Sequence, residues 1–165
     1  MGSPRYLIAL GSNVRHPRLG SPSEVLHEAV ASLEREGVDV RAVSPIIRSA
    51  PMGPSQRRYA NGAALLASEL EPAAMLALLK RIERAFGRRP GGRRWRARVL
   101  DLDIVLWSGG CWSSLELTIP HPQFRERGFV LRPATAIVPG WRDPVSGLTL
   151  RQLHARLTRP RPLPR

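Results

Sequence analysis

Asp101 and Asp103 stand two residues apart in an otherwise apolar run, LDLDIVLW over residues 100–107. In an extended strand, residues i and i+2 share a face, so both carboxylates project from one side while Leu100, Leu102 and Ile104 project from the other. Like charges about 6–7 Å apart repel one another and lose hydration, a cost that a hard divalent cation offsets. Mg²⁺ takes one or two carboxylates and fills its other positions with water and phosphate oxygens, and two such ions bridged by an Asp pair can clamp a phosphoryl group. The same spacing also suits a solvated edge strand, or Asp–Arg pairing in an arginine-rich chain, and spacing alone does not choose.

What precedes the pair narrows the choice. Residues 88–98 (RRPGGRRWRAR) hold Arg88, Arg89, Arg93, Arg94, Arg96 and Arg98 around Pro90-Gly91-Gly92, have no apolar period, and read as an exposed loop. Guanidinium forks bind phosphate oxygens bidentately, and a Gly-rich loop can close over a nucleotide and expel water. A nucleic-acid patch with Trp95 as a stacking platform is the competing reading. The acidic pair weighs against it, since uncovered carboxylates repel a phosphate backbone. Farther along, His121 sits between Pro120 and Pro122, followed by Arg125, Arg127 and Phe129. Tyr59 and Asn61 share a face of another expected strand, setting an aromatic plane beside an amide able to pair with a heterocycle edge. Core packing explains that tyrosine equally well. His16, His27 and His154 read as solvated or hydrogen-bonded side chains.

These residues need a scaffold, and the hydrophobic pattern supplies one. Residues 5–10 (RYLIAL) predict a first strand, stopped by Gly11-Ser12-Asn13. Ser21-Pro22-Ser23-Glu24 combines an N-cap serine, proline at the first helical position and glutamate three residues on; Val25, Leu26, Ala29, Val30 and Leu33 follow at helical spacing, and Gly37 ends the helix. A second strand is expected over residues 38–47 and a third over 59–68. Pro72 opens a second helix with Met75, Leu76, Leu79, Ile82 and Phe86 as its buried stripe, closed by Gly87. With the acidic strand the order is βαββαβ, the α+β split pattern of ferredoxin-like folds, in which an antiparallel sheet carries its helices on one face. Beyond it come a hairpin around Gly109-Gly110, a polar segment over 120–127, a buried-looking Phe129-Val130-Leu131 and a last helix near 150–157. One domain over residues 1–158 and a disordered Arg/Pro tail over 159–165 are expected.

Composition bounds the function classes. The chain has 165 residues, 42% of them hydrophobic, which suits one globular domain. Twenty-six Lys+Arg against 13 Asp+Glu give a formal +13, and Lys80 is the single lysine. Such a field attracts polyanions without choosing among nucleic acid, acidic membrane and polyphosphate. Cys111 is the sole cysteine, which excludes an intramolecular disulfide and points to a reducing compartment. No apolar run approaches the roughly 18 residues needed to span a bilayer, and a cytoplasmic protein is expected.

Taken together, Ala9-Leu10-Gly11-Ser12-Asn13, Ser49-Ala50-Pro51-Met52-Gly53, Tyr59-Ala60-Asn61, Arg94-Trp95 through Arg98-Val99-Leu100-Asp101-Leu102-Asp103-Ile104, and Pro120-His121-Pro122 through Arg127-Gly128-Phe129 resemble the 6-hydroxymethyl-7,8-dihydropterin pyrophosphokinase family of folate biosynthesis. The segments occur in family order and cover nearly the whole chain, and the stretch ending in Asp-Leu-Asp is the most specific of them. The resemblance implies transfer of pyrophosphate from MgATP, as co-substrate, to the hydroxymethyl oxygen of the pterin, with release of AMP. It implies that Asp101 and Asp103 bind two Mg²⁺ ions and act in catalysis with Arg88 and Arg98. ATP would further contact Glu83, Arg94, Ile104, His121 and Arg127. The pterin would meet Ser49, Ala50, Met52, Tyr59, Asn61, Trp95 and Phe129. A monomer acting on small molecules is expected, with no nucleic-acid or membrane partner. The rival readings are a basic ferredoxin-like nucleic-acid-binding module and a related pterin kinase of another pathway. Arg96 and Ala97 depart from the small residue and proline usual after the loop tryptophan, and the pocket segment at 49–53 departs from the common Thr-Pro-Pro-Leu-Gly.

Overall fold

Alternation along the first strand divides the molecule into two cores. In the computed structural model, which describes residues 2–49, 59–87 and 99–164, β1 (Arg5–Ser12) is followed by α1 (Pro22–Arg35), β2 (Asp39–Val43), β3 (Ile47–Ser49), β4 (Tyr59–Ala67), α2 (Pro72–Ala85), β5 (Asp101–Trp107), β6 (Trp112–Ser113), β7 (Thr118–Ile119), α3 (Gly128–Ile137) and α4 (Leu150–Thr158). The expectations placed on Ala50, Met52, Arg88, Arg94, Trp95 and Arg98 lie outside the described residues. Tyr6, Ile8 and Leu10 of β1 point to one face and pack with Ala60, Ala64, Leu102 and Ile104 under α1 and α2. Leu7 points to the other face, where it joins Ala63, Val105 and Leu106 under α3 and α4.

The main sheet has the order β2-β4-β1-β5, with β3 also pairing β4. β1 lies antiparallel between β4 and β5, and β2 and β3 are antiparallel to β4. The protein is thus a mixed α and β fold built on an antiparallel sheet. The two helices of the βαββα part, α1 and α2, lie on one face as expected, and the later α3 and α4 cover the other. The second face is too apolar to meet water, and a sheet in that condition must be covered.

The expected second strand is also corrected, because it divides into β2 and β3. Pro45 has no N–H to give a ladder, and Ser44 replaces the lost pairing by donating its N–H to Ala63 O (2.9 Å) and accepting the Ala63 N–H on Oγ (2.8 Å). The hairpin expected around Gly109-Gly110 is reduced to a tight reversal, in which Gly110 bridges Trp107 antiparallel and gives its N–H to Trp107 O at 3.0 Å; a second pairing, β6 with β7, follows. Phe129-Val130-Leu131 is not an isolated apolar patch but the start of α3. That helix was hidden by Pro133, which lies inside it and which ordinarily breaks a helix because it forgoes one intrahelical hydrogen bond.

Local chemistry explains the helices that were foreseen. Ser21 Oγ accepts the Glu24 N–H (3.4 Å) while Glu24 Oε2 accepts the Ser21 N–H (2.6 Å), a complete capping box ahead of Pro22. Both α1 and α2 stop where Gly37 (φ +85°) and Gly87 (φ +103°) adopt the left-handed conformation. Thr149 and Gln152 repeat the capping box at α4. Residues 159–164 follow α4 as exposed chain with no regular element. No helix among the described residues is long and apolar enough to cross a membrane.

Tyr6, fully buried, donates its hydroxyl to Leu70 O at 2.5 Å and so ties β1 to the turn before α2. Burial, reinforced by the charge of Glu71, pushes its phenol up to about 12. Because the unfolded phenol loses its proton near pH 10, the stability this group contributes is complete below pH 10 and declines as the pH rises toward 12. Alkaline spectrophotometric titration should therefore show a phenol with a midpoint near 12 that Tyr6→Phe abolishes. Urea denaturation should show the same substitution destabilising the fold by about 1 kcal/mol, the worth of one buried hydrogen bond.

Candidate active site

The second face of the sheet changes character along its length. At one end Leu7, Ala63, Val105 and Leu106 are sealed under α3 and α4. Toward the other end the same face carries Asp103, paired with Ala9, and Asp101, paired with Gly11. Asn61 of β4 pairs with Gly11 from the opposite side. Asn61, Gly11 and Asp101 therefore stand abreast on three neighbouring strands. Asn61 and Asp101 are separated by two strand spacings, about 10 Å.

Gly11 keeps that row open. A Cβ built there would lie 3.5 Å from Asn61 Oδ1 and 3.9 Å from Asp101 Cβ, so any side chain longer than alanine's would occupy the floor between amide and carboxylate. Both aspartates are half-buried and Asn61 is 6% exposed. The alternation expected for residues 100–104 holds: Leu102 and Ile104 lie in the core beneath α1 and α2. It also separates Ile104 from its expected partners, since its side chain is 2% exposed in that core and only its backbone is left to meet a ligand.

Glu83 reaches the site from below. It is 2% exposed on α2, and its Oε1 accepts the Leu102 N–H at 2.9 Å. Leu102 lies between the two aspartates, so this bond fastens the outer strand at the point where the carboxylates emerge. The sequence shows Glu83 only as a helical glutamate, and nothing local in it signals this strand-anchoring contact.

The residues after β7 border β5. The His121 N–H donates to Val105 O at 3.0 Å, and His121 Nδ1 accepts the Gln123 N–H at 3.1 Å. That second bond leaves Nε2 to carry the proton of the neutral ring. Burial and then the positive charge of Arg127 lower the His121 imidazole below its ordinary value, against an opposing effect of Asp101. A single 3₁₀ turn, Phe124–Glu126, follows, and Arg127 caps α3. The Arg127 guanidinium hydrogen-bonds Gln123 and lies 5.7 Å from the centre of the Phe129 ring. Phe129, in the first turn of α3, is half-buried against the second core. Tyr59 is half-buried where β4 begins and pairs with Ser49 of β3.

Among the described residues no three His, Cys, Asp or Glu side chains converge as a metal site. Two co-facing carboxylates nevertheless fit Mg²⁺, which takes few protein ligands and completes its shell with water and phosphate. They do not fit Zn²⁺, which prefers three or four nitrogen or sulfur donors. The structure thus brings Asn61, Asp101 and Asp103 onto one face, with His121, Arg127 and Phe129 on the segment that borders it.

An antiparallel sheet covered on both faces, with a paired carboxylate on its outer strand, describes a class of architecture; comparison with known proteins supplies the family. The family model described as 7,8-dihydro-6-hydroxymethylpterin-pyrophosphokinase (HPPK) matches residues 7–139. The chain is 38% identical over 148 residues to a 2-amino-4-hydroxy-6-hydroxymethyldihydropteridine pyrophosphokinase of Synechocystis, covering 89% of this chain and 73% of the relative. It is 36% identical to the protein of the same name from Methylorubrum extorquens, covering 93% of each. The crystal structure of Plasmodium falciparum HPPK-DHPS superposes with a TM-score of 0.71 at 12% identity, covering 93% of this chain and 44% of that one, a likeness of fold. The chain belongs to the 7,8-dihydro-6-hydroxymethylpterin-pyrophosphokinase family.

Two measurements check this geometry. Glu83→Leu leaves the buried Leu102 N–H without its acceptor and should cost about 1–3 kcal/mol in urea denaturation, with faster hydrogen exchange at Leu102, whereas Glu83→Gln keeps an acceptor and should cost less. An NMR titration of the His121 ring should give a midpoint below 6.5, with the neutral ring protonated on Nε2.

Proposed function

We propose that the protein transfers the β,γ-pyrophosphate of MgATP to the hydroxymethyl group of 6-hydroxymethyl-7,8-dihydropterin and releases AMP. The observation that supports it is the row Asn61, Gly11, Asp101, in which an amide able to pair with a heterocycle edge and a carboxylate able to bind a cation stand on neighbouring strands. Family membership supports the reading. The strand order β2-β4-β1-β5, with helices after β1 and β4, supports assignment to the ferredoxin-like class.

In this reading Asn61 meets the edge of the pterin, with Tyr59 and Phe129 against its faces and the chain around Ser49, Ala50 and Met52 completing the pocket. The hydroxymethyl oxygen forms a bond to the β-phosphorus as the bond from that phosphorus to the bridging α-phosphate oxygen breaks; AMP departs and the hydroxyl proton passes to solvent. Asp101 and Asp103 would hold two Mg²⁺ ions, which would supply neutralisation of phosphate charge and a lowered hydroxyl pKa. No strong base is needed, since phosphoryl transfer depends chiefly on positioning and electrostatic stabilisation. Neutral His121 offers Nε2–H to the nucleotide, Arg127 and Arg94 take phosphate charge, and Ile104 contributes through its backbone. Arg88 and Arg98 are assigned to the transferred group, and Trp95 to closure over the pterin. Glu83 serves by holding β5 through the Leu102 amide. A single domain over residues 1–158, a monomer and a cytoplasmic location complete the reading.

Incubation with MgATP and the hydroxymethyl dihydropterin should yield AMP and the pterin pyrophosphate; formation of ADP, or no nucleotide product, rejects the proposal. Asp101→Asn and Asp103→Asn should each lower turnover about 100-fold or more. Each variant should remain folded by thermal denaturation, since Asn is isosteric with Asp. Full activity in either folded variant removes the metal role.

A further inference from the structure

Arg125 lies between two residues assigned to the nucleotide, yet its own guanidinium is bound to a carboxylate of this chain. Its Nε donates to Asp143 Oδ2 at 2.6 Å and its terminal nitrogen to Asp143 Oδ1 at 2.7 Å, a two-bond fork. Asp143 is fully buried. The same carboxylate accepts the Ser146 hydroxyl at 2.6 Å and the Val145 N–H at 3.1 Å. Burial alone would raise its pKa, but the bonds from Arg125, Ser146 and Val145 outweigh it and hold the carboxyl at about 2.

The two partners come from separate parts of the chain, whose apolar residues Phe124 and Leu150 also share the second core. Arg125 belongs to the 3₁₀ turn, and its guanidinium lies 4.7 Å from the centre of the Phe124 ring, which is itself buried in the second core. Backbone bonds run from this turn back to His121, where the Phe124 N–H reaches His121 O at 3.3 Å, and forward to Arg127, whose N–H reaches Phe124 O at 3.2 Å. Asp143 anchors the turn ahead of α4, where the Gly147 N–H reaches Asp143 O at 2.8 Å. α4 in turn packs on α3. The pair therefore pins residues 121–127 to the α3–α4 layer.

We infer that Arg125 and Asp143 are a positioning pair for the nucleotide site: the ion pair sets the segment bearing His121 and Arg127 against β5, and Arg125 is not itself a phosphate ligand. This rests on the pyrophosphokinase reading. The two roles for Arg125 make opposite predictions for Asp143→Asn. If Arg125 were a phosphate ligand, weakening its carboxylate partner would free the guanidinium and leave nucleotide affinity unchanged or tighter. If it positions, the same change loosens the segment and weakens nucleotide binding.

The test uses the full chain with Arg125→Lys, Arg125→Met, Asp143→Asn and the double variant Arg125→Met/Asp143→Asn. Each is assayed well below its own midpoint of thermal unfolding. Binding of a magnesium complex of a non-hydrolysable ATP analogue is measured by calorimetry, and KM and kcat by AMP release. Arg125→Met and Asp143→Asn should each raise the analogue Kd and the KM for ATP about tenfold, with kcat and the pterin KM changed less than about threefold, the pattern of lost uniform binding. Arg125→Lys, which keeps the charge but not the fork, should recover part of the loss, and the double variant should cost no more than the worse single one. Folded variants that keep wild-type Kd and KM, or tighter binding by Asp143→Asn, overturn the inference. Wild-type protein that binds the analogue but makes no AMP overturns the reaction and leaves the positioning role to be decided by the Kd series; wild-type protein that binds no nucleotide overturns both.

Discussion

Two carboxylates on one face of an outer strand are electrostatically costly, and most of the surrounding structure bears on keeping them there. β5 has β1 on one side only, so its outer edge must be held by other means. Glu83 fixes it from α2 through the Leu102 amide, and His121 fixes it from the far side through Val105 O. Both contacts are hydrogen bonds from a side chain or loop to strand backbone. They hold the edge at the level of the two aspartates.

The same strand shows how one sheet can be both core and site. Its second face is apolar at the end covered by α3 and α4 and polar at the other, and the change occurs between Val105 and Asp103. On this face, burying Leu7, Ala63, Val105 and Leu106 against the apolar residues of α3 and α4 adds hydrophobic stabilisation, about 25 cal/mol per Å² of apolar surface. The polar end forgoes that gain and exposes a floor kept clear by Gly11. α3 belongs to the covered end: Val130 and Leu131 are in the core, Phe129 packs partly buried against it, and Arg127 caps the helix.

Charge is distributed accordingly. Six of the arginines fall within residues 88–98, and those elsewhere have separate duties. Arg125 is bound in a fork to a buried aspartate, Arg35 and Arg81 make exposed ion pairs with Glu28 and Glu36, and Arg5 lies over the Trp141 ring. Exposed pairs of this kind contribute little to stability, whereas truncating one partner of a buried pair is costly because it strands the other charge. Net charge is therefore a poor guide to which arginine meets a ligand.

What could be read without coordinates was local: the capping box at Ser21, the glycines ending α1 and α2, and the period of two that puts Asp101 and Asp103 on one side. Each depends only on residues a few positions apart. The family resemblance was legible for a related reason, because its motifs are short segments whose order survives in the chain. Tertiary structure alone decided the helical state of residues after Gly128 despite Pro133, the cover on the second face, the burial of Glu83 against Leu102 and the pairing of Arg125 with Asp143. In each of those cases the deciding partner lies far along the chain, and the energy that settles it comes from desolvation and hydrogen bonding between segments, which no local pattern of residues encodes.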